Sequence, residues 1–287
     1  MRSGPDRKAS TCRRLAYAAP MQVTTMWRYP VKSMLGERIS EGRVDAAGLR
    51  SDRGIAIIDD ESGLVATAKH PRLWRGLLKY SATVDDGHVV ITSPAGWTLD
   101  AASPEVDERL SAELGRVVRV ATDRPDGATV ERPDPEDVLA EGVEAVVPAA
   151  TLEIGMGTPG TNFVDYAPLH LITSATLDEV GVEHIRYRPN LVLETPPGTP
   201  PFVENDWVGR ELHVGEWTVL RISVPTPRCS VPTLEHGDLP RSPQAVRTVL
   251  TRNRVDVPGF GVLPCAGCYA EVVQGGTIRV GDEVTLR

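Results

Sequence analysis

The chain predicts a mainly β (α+β) fold built from barrel-like units with a few peripheral helices. Three observations predict it. Short apolar runs recur through the sequence and are punctuated by glycine. Tight-turn signals, Asp86-Gly87 above all, separate neighbouring runs. Few stretches carry helical start and stop signals, and no repeat of fixed period interrupts the pattern.

Taken in order, residues 1–20 read as a disordered extension, or as sequence ahead of a true start at Met21, and Cys12 is given no role. A first unit, a β-barrel-like domain over 21–122, has strands at 24–29, 55–59, 79–84 and 88–92. Ser103-Pro104 opens a helix with an apolar stripe of Val106, Leu110 and Leu114, which Gly115 stops. A strand at 117–120 follows. Residues 123–145 are rich in Pro, Asp, Glu and Gly and read as an exposed linker, or as a lid.

The second unit spans 146–287. Leu169–Thr173 is a strand, a helix runs from there to Val180, and Gly181 stops it. Residues 191–194 and 212–224 are strands, the latter broken by a Gly215-Glu216 turn. Ser242-Pro243 opens a helix carrying Val246, Val249 and Leu250. The tail, 270–286, is a β-meander with turns at Gly275-Gly276 and Gly281-Asp282.

Composition narrows the function. With 31 Lys/Arg against 39 Asp/Glu the formal charge is −8, so no nucleic-acid partner and no membrane partner is expected. A local basic pocket could still hold an anionic ligand. No apolar run is long enough to span a bilayer. Four cysteines, Cys12, Cys229, Cys265 and Cys268, are too sparse for a disulfide scaffold and suit a reducing compartment, so a cytoplasmic location is expected. No lysine follows Lys79, which leaves the C-terminal half without a Schiff-base residue.

Pro225-Thr226-Pro227-Arg228-Cys229 is the most distinctive segment. An arginine beside a cysteine favours thiolate, the form that attacks electrophiles and binds soft metals. The prolines restrict where the sulfur can go. A buried, inert cysteine is the competing reading of this segment alone. Tyr29-Pro30-Val31-Lys32-Ser33 places a cation and a hydroxyl in one turn, which suits a phosphate. In Gly48-Leu49-Arg50-Ser51-Asp52-Arg53-Gly54, Asp52 pairs with Arg53 or caps the turn. Tyr187-Arg188-Pro189-Asn190 offers a planar donor fork and an amide, which suit a phosphate or a pterin edge, or serves only as turn chemistry.

Other chemistries lack their signatures. Cys265-Ala266-Gly267-Cys268 has no second Cys pair and no histidines at finger spacing. It is a redox pair, a resolving partner for Cys229, or two incidental thiols. Phosphate-loop and nucleophile-elbow patterns are absent, and the six histidines are scattered.

In order, these segments resemble one family. Tyr29 to Ser33, then Gly48 to Arg53, then Thr67-Ala68-Lys69-His70-Pro71 resemble the N-terminal β-barrel domain that accompanies MOSC (molybdenum cofactor sulfurase C-terminal) domains. Arg186 to Asn190, Phe202 to Trp207, Pro227-Arg228-Cys229, Phe260-Gly261 and Gly276 to Asp282 resemble the MOSC domain itself. The layout is similar to that of the amidoxime-reducing components. The resemblance implies a bound molybdenum cofactor (Mo-molybdopterin), with Cys229 as catalytic residue and metal ligand. It implies cofactor contacts from Lys32, Ser33, Arg53, Ser174, Thr176, Arg188, Asn190 and Arg228. It further implies an oxidoreductase that takes oxygen from small N-hydroxylated or N-oxide-type substrates. No iron–sulfur pattern follows the domain, so electrons would come from a separate ferredoxin- or flavin-type donor protein. A persulfide-carrying sulfur-transfer protein using Cys229 and a non-catalytic cofactor carrier are the alternatives. The chain departs from the family at Ser174, where amidoxime reducers have aspartate, at Leu234-Glu235-His236-Gly237, and at the extra Cys265 and Cys268.

Overall fold

Strand periodicity closes into a barrel. In the computed structural model, which describes residues 20–287, seven strands form a ring. They are β1 (Met21–Arg28), β2 (Leu169–Thr173), β3 (Leu191–Glu194), β4 (Glu211–Val214), β5 (Thr218–Pro227), β6 (Gly261–Gln274) and β7 (Glu283–Leu286). Around the ring the order is β2-β3-β1-β7-β4-β5-β6, and β6 pairs back onto β2. Only β2 and β3 are parallel. Residues alternate inward along the strands: Met21 and Val23, Leu212 and Val214, Leu220 and Ile222 all face one core that also takes Trp207 and Cys268. Each such fully buried side chain contributes roughly 1.5–3 kcal/mol. Closure leaves the barrel without a free edge.

Five helices are α1 (Pro71–Trp74), α2 (Val106–Leu114), α3 (Pro135–Glu141), α4 (Ser174–Val180) and α5 (Gln244–Arg252). α4 is the crossover that the parallel β2–β3 pair requires. Gly115 and Gly181 end α2 and α4 in the left-handed conformation, as the sequence predicted. Ser103 does not cap α2, which begins two residues after Pro104; its Oγ instead accepts from the Glu105 N–H at 3.4 Å.

The first unit packs around Val31, Met34, Ile57, Leu77, Ile91 and Leu110. The hairpin Ser81–Asp85 to His88–Thr92 turns through Asp86 and Gly87, both at positive φ, as a type I′ turn demands.

Two features of the organisation could not be read locally. β1, assigned by sequence to the first unit, pairs there only with the short strand Glu37–Ile39 and forms its other ladders with β3 and β7 of the barrel. Residues 123–145, expected as a linker, carry the strand Thr129–Pro133 and α3, and that strand pairs with Ala149–Glu153. The prolines that suggested a breaker occupy tolerated positions. Pro133 ends a two-stranded ribbon, and Pro135 opens α3 behind the cap Asp134, which accepts from the Glu136 N–H at 2.8 Å. Residues 1–19 and Cys12 lie outside the described residues.

Candidate functional site

The turn after β1 is pinned to the first unit. The Lys32 N–H donates to Ile55 O, the Ile55 N–H donates to Pro30 O, and Ser33 takes a φ of 65°. The Arg53 N–H donates to Tyr29 O, and Asp52 Oδ1 accepts from the Tyr29 N–H at 2.7 Å. The end of β5 is pinned from both sides: the Arg228 N–H donates to Pro264 O, and Arg132 donates to Arg228 O at 3.2 Å. Cys229 follows, half-buried.

These anchors bring Lys32, Ser33, Arg53, Arg188, Asn190, Arg228 and Cys229 to the wall of one cavity. The cavity carries seven Lys/Arg side chains against two carboxylates, although the chain as a whole is acidic. Three of these residues, Ser33, Arg53 and Arg188, sit at positive φ, which costs about 1–3 kcal/mol each and recurs at ligand-binding positions.

The cations divide into two kinds. Arg228 is wholly engaged. Its Nε donates to Ala266 O at 2.8 Å, its Nη1 to Tyr187 O at 3.2 Å, and its Nη2 contacts Ala266 O and His170 Nε2. Because a guanidinium cannot accept, His170 Nε2 accepts, and its Nδ1–H faces Arg188 O at 3.4 Å. Burial and the Arg228 charge hold His170 well below its usual pKa, so it is neutral. Asn190 is engaged too: its Oδ1 accepts from the His170 N–H and Arg53, and its Nδ2 donates to Trp27 O. Both residues build the wall.

Arg188 is different. Its Nη1 donates to Met34 O at 2.7 Å, but its buried Nη2 has no partner. Arg188 and Arg53 both lie on the Tyr29 ring, at 4.3 and 4.9 Å from its centroid. Burial and the neighbouring Arg53 push Arg188 down to about 10. Arg53 pairs with Asp52 and reaches Arg188 O at 3.1 Å. Thr226 Oγ1 is a second cavity-lining buried polar atom without a partner. A buried N–H facing a cavity is costly unless a ligand accepts from it.

Lys32 donates to Phe163 O at 2.8 Å and to Asp165 at 2.6 Å, and Lys69 reaches the same carboxylate oxygen at 2.8 Å. Burial lowers Lys32 to about 8, against the pull of Asp165. Burial works to raise Asp165, yet the two lysines hold it well below the carboxylate range. Ser33 Oγ accepts from the Ala68 N–H at 3.1 Å.

Ser174 and Thr176, expected as cofactor contacts, do not line this cavity. The Ser174 hydroxyl pairs with that of Thr195 at 3.1 Å. Thr176 donates to Glu204 Oε2 at 2.9 Å and accepts from the Phe202 N–H. The first turn of α4 thus binds a buried carboxylate of the chain itself. Sequence reasoning missed Lys69, Asp165, His170, Arg132 and Tyr29 as cavity or stacking residues. Lys69 carried a signal, being one of four lysines in the chain and lying in the family-like segment Thr67 to Pro71; Asp165 carried none.

Cys265 and Cys268 do not form a pair. Cys268 lies in the barrel core and Cys265 in a separate cluster with Val224 and Val257. Gly267, at φ 74°, separates them. Burial pushes both thiols up, Cys265 to about 12. Among the described residues no group of His, Cys, Asp or Glu is arranged as a multi-ligand metal site. A single thiolate fits only a metal that arrives with other ligands of its own.

Comparison with known proteins agrees with this layout. Residues 20–129 match the MOSC N-terminal beta barrel domain and residues 160–285 the MOSC domain. The chain is 24% identical to mitochondrial amidoxime-reducing component 1 of Mus musculus, over 98% of this chain and 86% of that protein. It is 25% identical to its Homo sapiens counterpart, over 92% and 82%. Among solved structures, the YUAD protein from Bacillus subtilis aligns over 93% of this chain and 96% of its own, with a TM-score of 0.43 and 9% identity. No described helix is long and apolar enough to cross a membrane.

Proposed function

The chain belongs to the MOSC domain family, with the family's N-terminal β-barrel domain ahead of it. From that premise we propose that its cavity holds a molybdenum cofactor and reduces small N-hydroxylated or N-oxide-type substrates. The observation that carries the reading is the unpartnered, buried Arg188 Nη2 in a cation-lined cavity that Cys229 also lines.

The donor set fits the group. Molybdopterin is a pterin dithiolene ending in a phosphate. Lys32, Lys69, Arg53 and Arg188 offer charge to its anionic parts, Ser33 and Thr226 offer hydroxyls, and Cys229 offers one soft ligand. When bound, the cofactor supplies a two-electron couple. The overall reaction is R–NH–OH + 2e⁻ + 2H⁺ → R–NH₂ + H₂O. The N–O bond breaks, nitrogen is reduced, and a separate ferredoxin- or flavin-type donor protein is oxidised. The chain's own part is to fix the cofactor, to present Cys229 at the cavity wall, and to keep the Arg228–His170 wall rigid.

The sulfur-transfer alternative gains nothing from Cys265 or Cys268, whose burial and raised pKa values suit packing rather than thiol exchange. Metal analysis of the purified protein tests the proposal, paired with reduction of an N-hydroxylated compound by an artificial donor. Stoichiometric molybdenum with turnover is the expected result. Cyanide-releasable sulfur without molybdenum would favour the sulfur carrier instead, and bound cofactor without turnover the cofactor carrier.

A further inference from the structure

Arg228 is a buried cation whose partners are all neutral: Ala266 O, Tyr187 O and His170 Nε2. Glu204 is the converse. It is a fully buried acid, and among the described residues it accepts only from two hydroxyls and one backbone N–H. A buried charge without compensation is strongly destabilising.

The two charges meet through one peptide group. Between Ala266 and Gly267, the carbonyl oxygen accepts from Arg228 Nε at 2.8 Å and from its Nη2, while the N–H donates to Glu204 Oε1 at 3.1 Å. The peptide dipole therefore points its positive end at the carboxylate and its negative end at the guanidinium, the favourable sense at both.

Strand geometry frees that peptide for this contact. Across the β5–β6 ladder Pro225 faces Cys268 and Pro227 faces Cys265, so Thr226 stands opposite both Ala266 and Gly267. Such a bulge leaves backbone groups without ladder partners. Gly267 takes a φ of 74°, and a Cβ there would strike Leu171 O and lie 2.6 Å from His170 Nε2. Only glycine lets the bulge lie against the His170–Arg228 pair.

The contacts of Glu204 suit its ionised form. Its Oε2 accepts from the hydroxyls of Thr173 and Thr176, and those hydroxyl oxygens in turn accept from the N–H groups of Thr176 and Phe202. Every polar group bonded to the carboxyl therefore donates. Burial raises its pKa, against the pull of these hydrogen bonds.

We propose that Glu204 is a positioning residue, the counter-charge of Arg228 acting through the Ala266–Gly267 peptide, which fixes that guanidinium beside Cys229 and sets how positive the cavity wall is there. The role of Cys229 rests on the molybdenum reading above; the link between the two charges does not.

The test compares wild type with Glu204→Gln, which removes the charge but keeps an acceptor for the Gly267 N–H, and with Thr176→Val, which disturbs the same cluster but leaves the charge. In cofactor-free protein at one pH, alkylation of Cys229 by iodoacetate and by iodoacetamide is followed by mass spectrometry of its peptide. Only the first reagent is anionic, so the ratio of the two rates reads the local field and cancels exposure of the sulfur. The ratio is expected to rise about three- to tenfold in Glu204→Gln and to stay at the wild-type value in Thr176→Val. In loaded protein Glu204→Gln is expected to raise the molybdenum midpoint potential, since losing a buried negative charge favours the reduced centre. An unchanged ratio in Glu204→Gln, or an equal rise in both variants, overturns the link. Should Glu204→Gln fail to fold, the double variant Glu204→Gln/Arg228→Gln removes both charges and is expected to fold; a double variant no more stable than the single one overturns the link as well. Wild type without molybdenum would defeat the reduction reading and leave the alkylation ratios to decide this one.

Discussion

The Lys32–Arg53–Arg188 cluster and the Thr173–Thr176–Glu204 cluster are both buried, both polar, and both drawn at least in part from segments that resemble cofactor contacts. They differ in what is left over. Glu204 accepts from the hydroxyls of Thr173 and Thr176 at 3.0 and 2.9 Å and from the Gly267 N–H at 3.1 Å, and Thr176 takes the Phe202 N–H as well. That knot joins β2, α4 and β6, and every side-chain polar atom in it has a partner. In the cationic cluster, Arg188 Nη2 has none, Arg53 and Arg188 both lie on the Tyr29 ring, and a carboxylate is wedged between two lysines. The lesson is that unsatisfied donor capacity beside a cavity marks a binding site, while equal polarity fully satisfied marks scaffold.

The comparison can be broken in descending order of effect. Cys229→Ser is expected to abolish reduction and molybdenum retention, because serine offers no soft ligand; elemental analysis and turnover read both. Next comes Arg188→Ala, which removes a charge-assisted donor worth roughly 1.5–3 kcal/mol and is expected to weaken cofactor retention about ten- to hundredfold. Dialysis against a fixed volume, followed by metal analysis, measures it. If Arg188→Ala kept its molybdenum, the unpartnered Nη2 would be a packing fault rather than a ligand contact.

Thr176→Val belongs to the other cluster and should behave oppositely. Losing its bonds to Glu204 and Phe202 is expected to cost about 1–3 kcal/mol of stability, visible as a lower Tm. Molybdenum per folded molecule should stay at the wild-type level. A selective loss of cofactor without loss of Tm would move Thr176 back into the site.

The smallest effect is the dependence on pH. Burial lowers Lys32 from its ordinary 10.5 to about 8, so raising the pH from 7 to 9 removes one cavity charge. Arg188, at about 10, keeps its charge across that range. Affinity for inorganic pyrophosphate, followed by calorimetry, should fall several-fold across that window, and Lys32→Arg should flatten the curve. The contribution to stability runs the other way. Between about 8 and 10.5 the unfolded chain holds the lysine proton that the folded chain has released, so this residue's share of folding stability improves as pH rises. Ligand binding that weakens while the fold holds firm is the signature expected of a cation placed for a ligand.

Much of the architecture was legible locally. Short apolar runs found most of the barrel strands, though β6 is legible as strand only from residue 270; Asp86-Gly87 found its hairpin, and Gly115 and Gly181 found two helix ends, because each is a property of adjacent residues. Prolines misled at 133 and 135, where a ribbon end and a first helical turn accept them. Of the proposed contacts, those in the Lys32, Arg53, Arg188 and Cys229 segments share a cavity, whereas Ser174 and Thr176 stand outside it. Asp165 gave no warning, since its importance lies in what it faces across more than ninety residues of chain.

The sequence by itself determined the strand and turn pattern, the few helices and their glycine stops, and the stock of cations, hydroxyls and one cysteine available to a site. Tertiary structure alone decided that β1 crosses from the first unit to close the barrel between β3 and β7. It also decided that Arg228 is tied down while Arg188 keeps a free donor. The reason is physical: propensity and turn geometry act between neighbours, but strand pairing and hydrogen-bond satisfaction are settled between groups that meet only when the chain is folded.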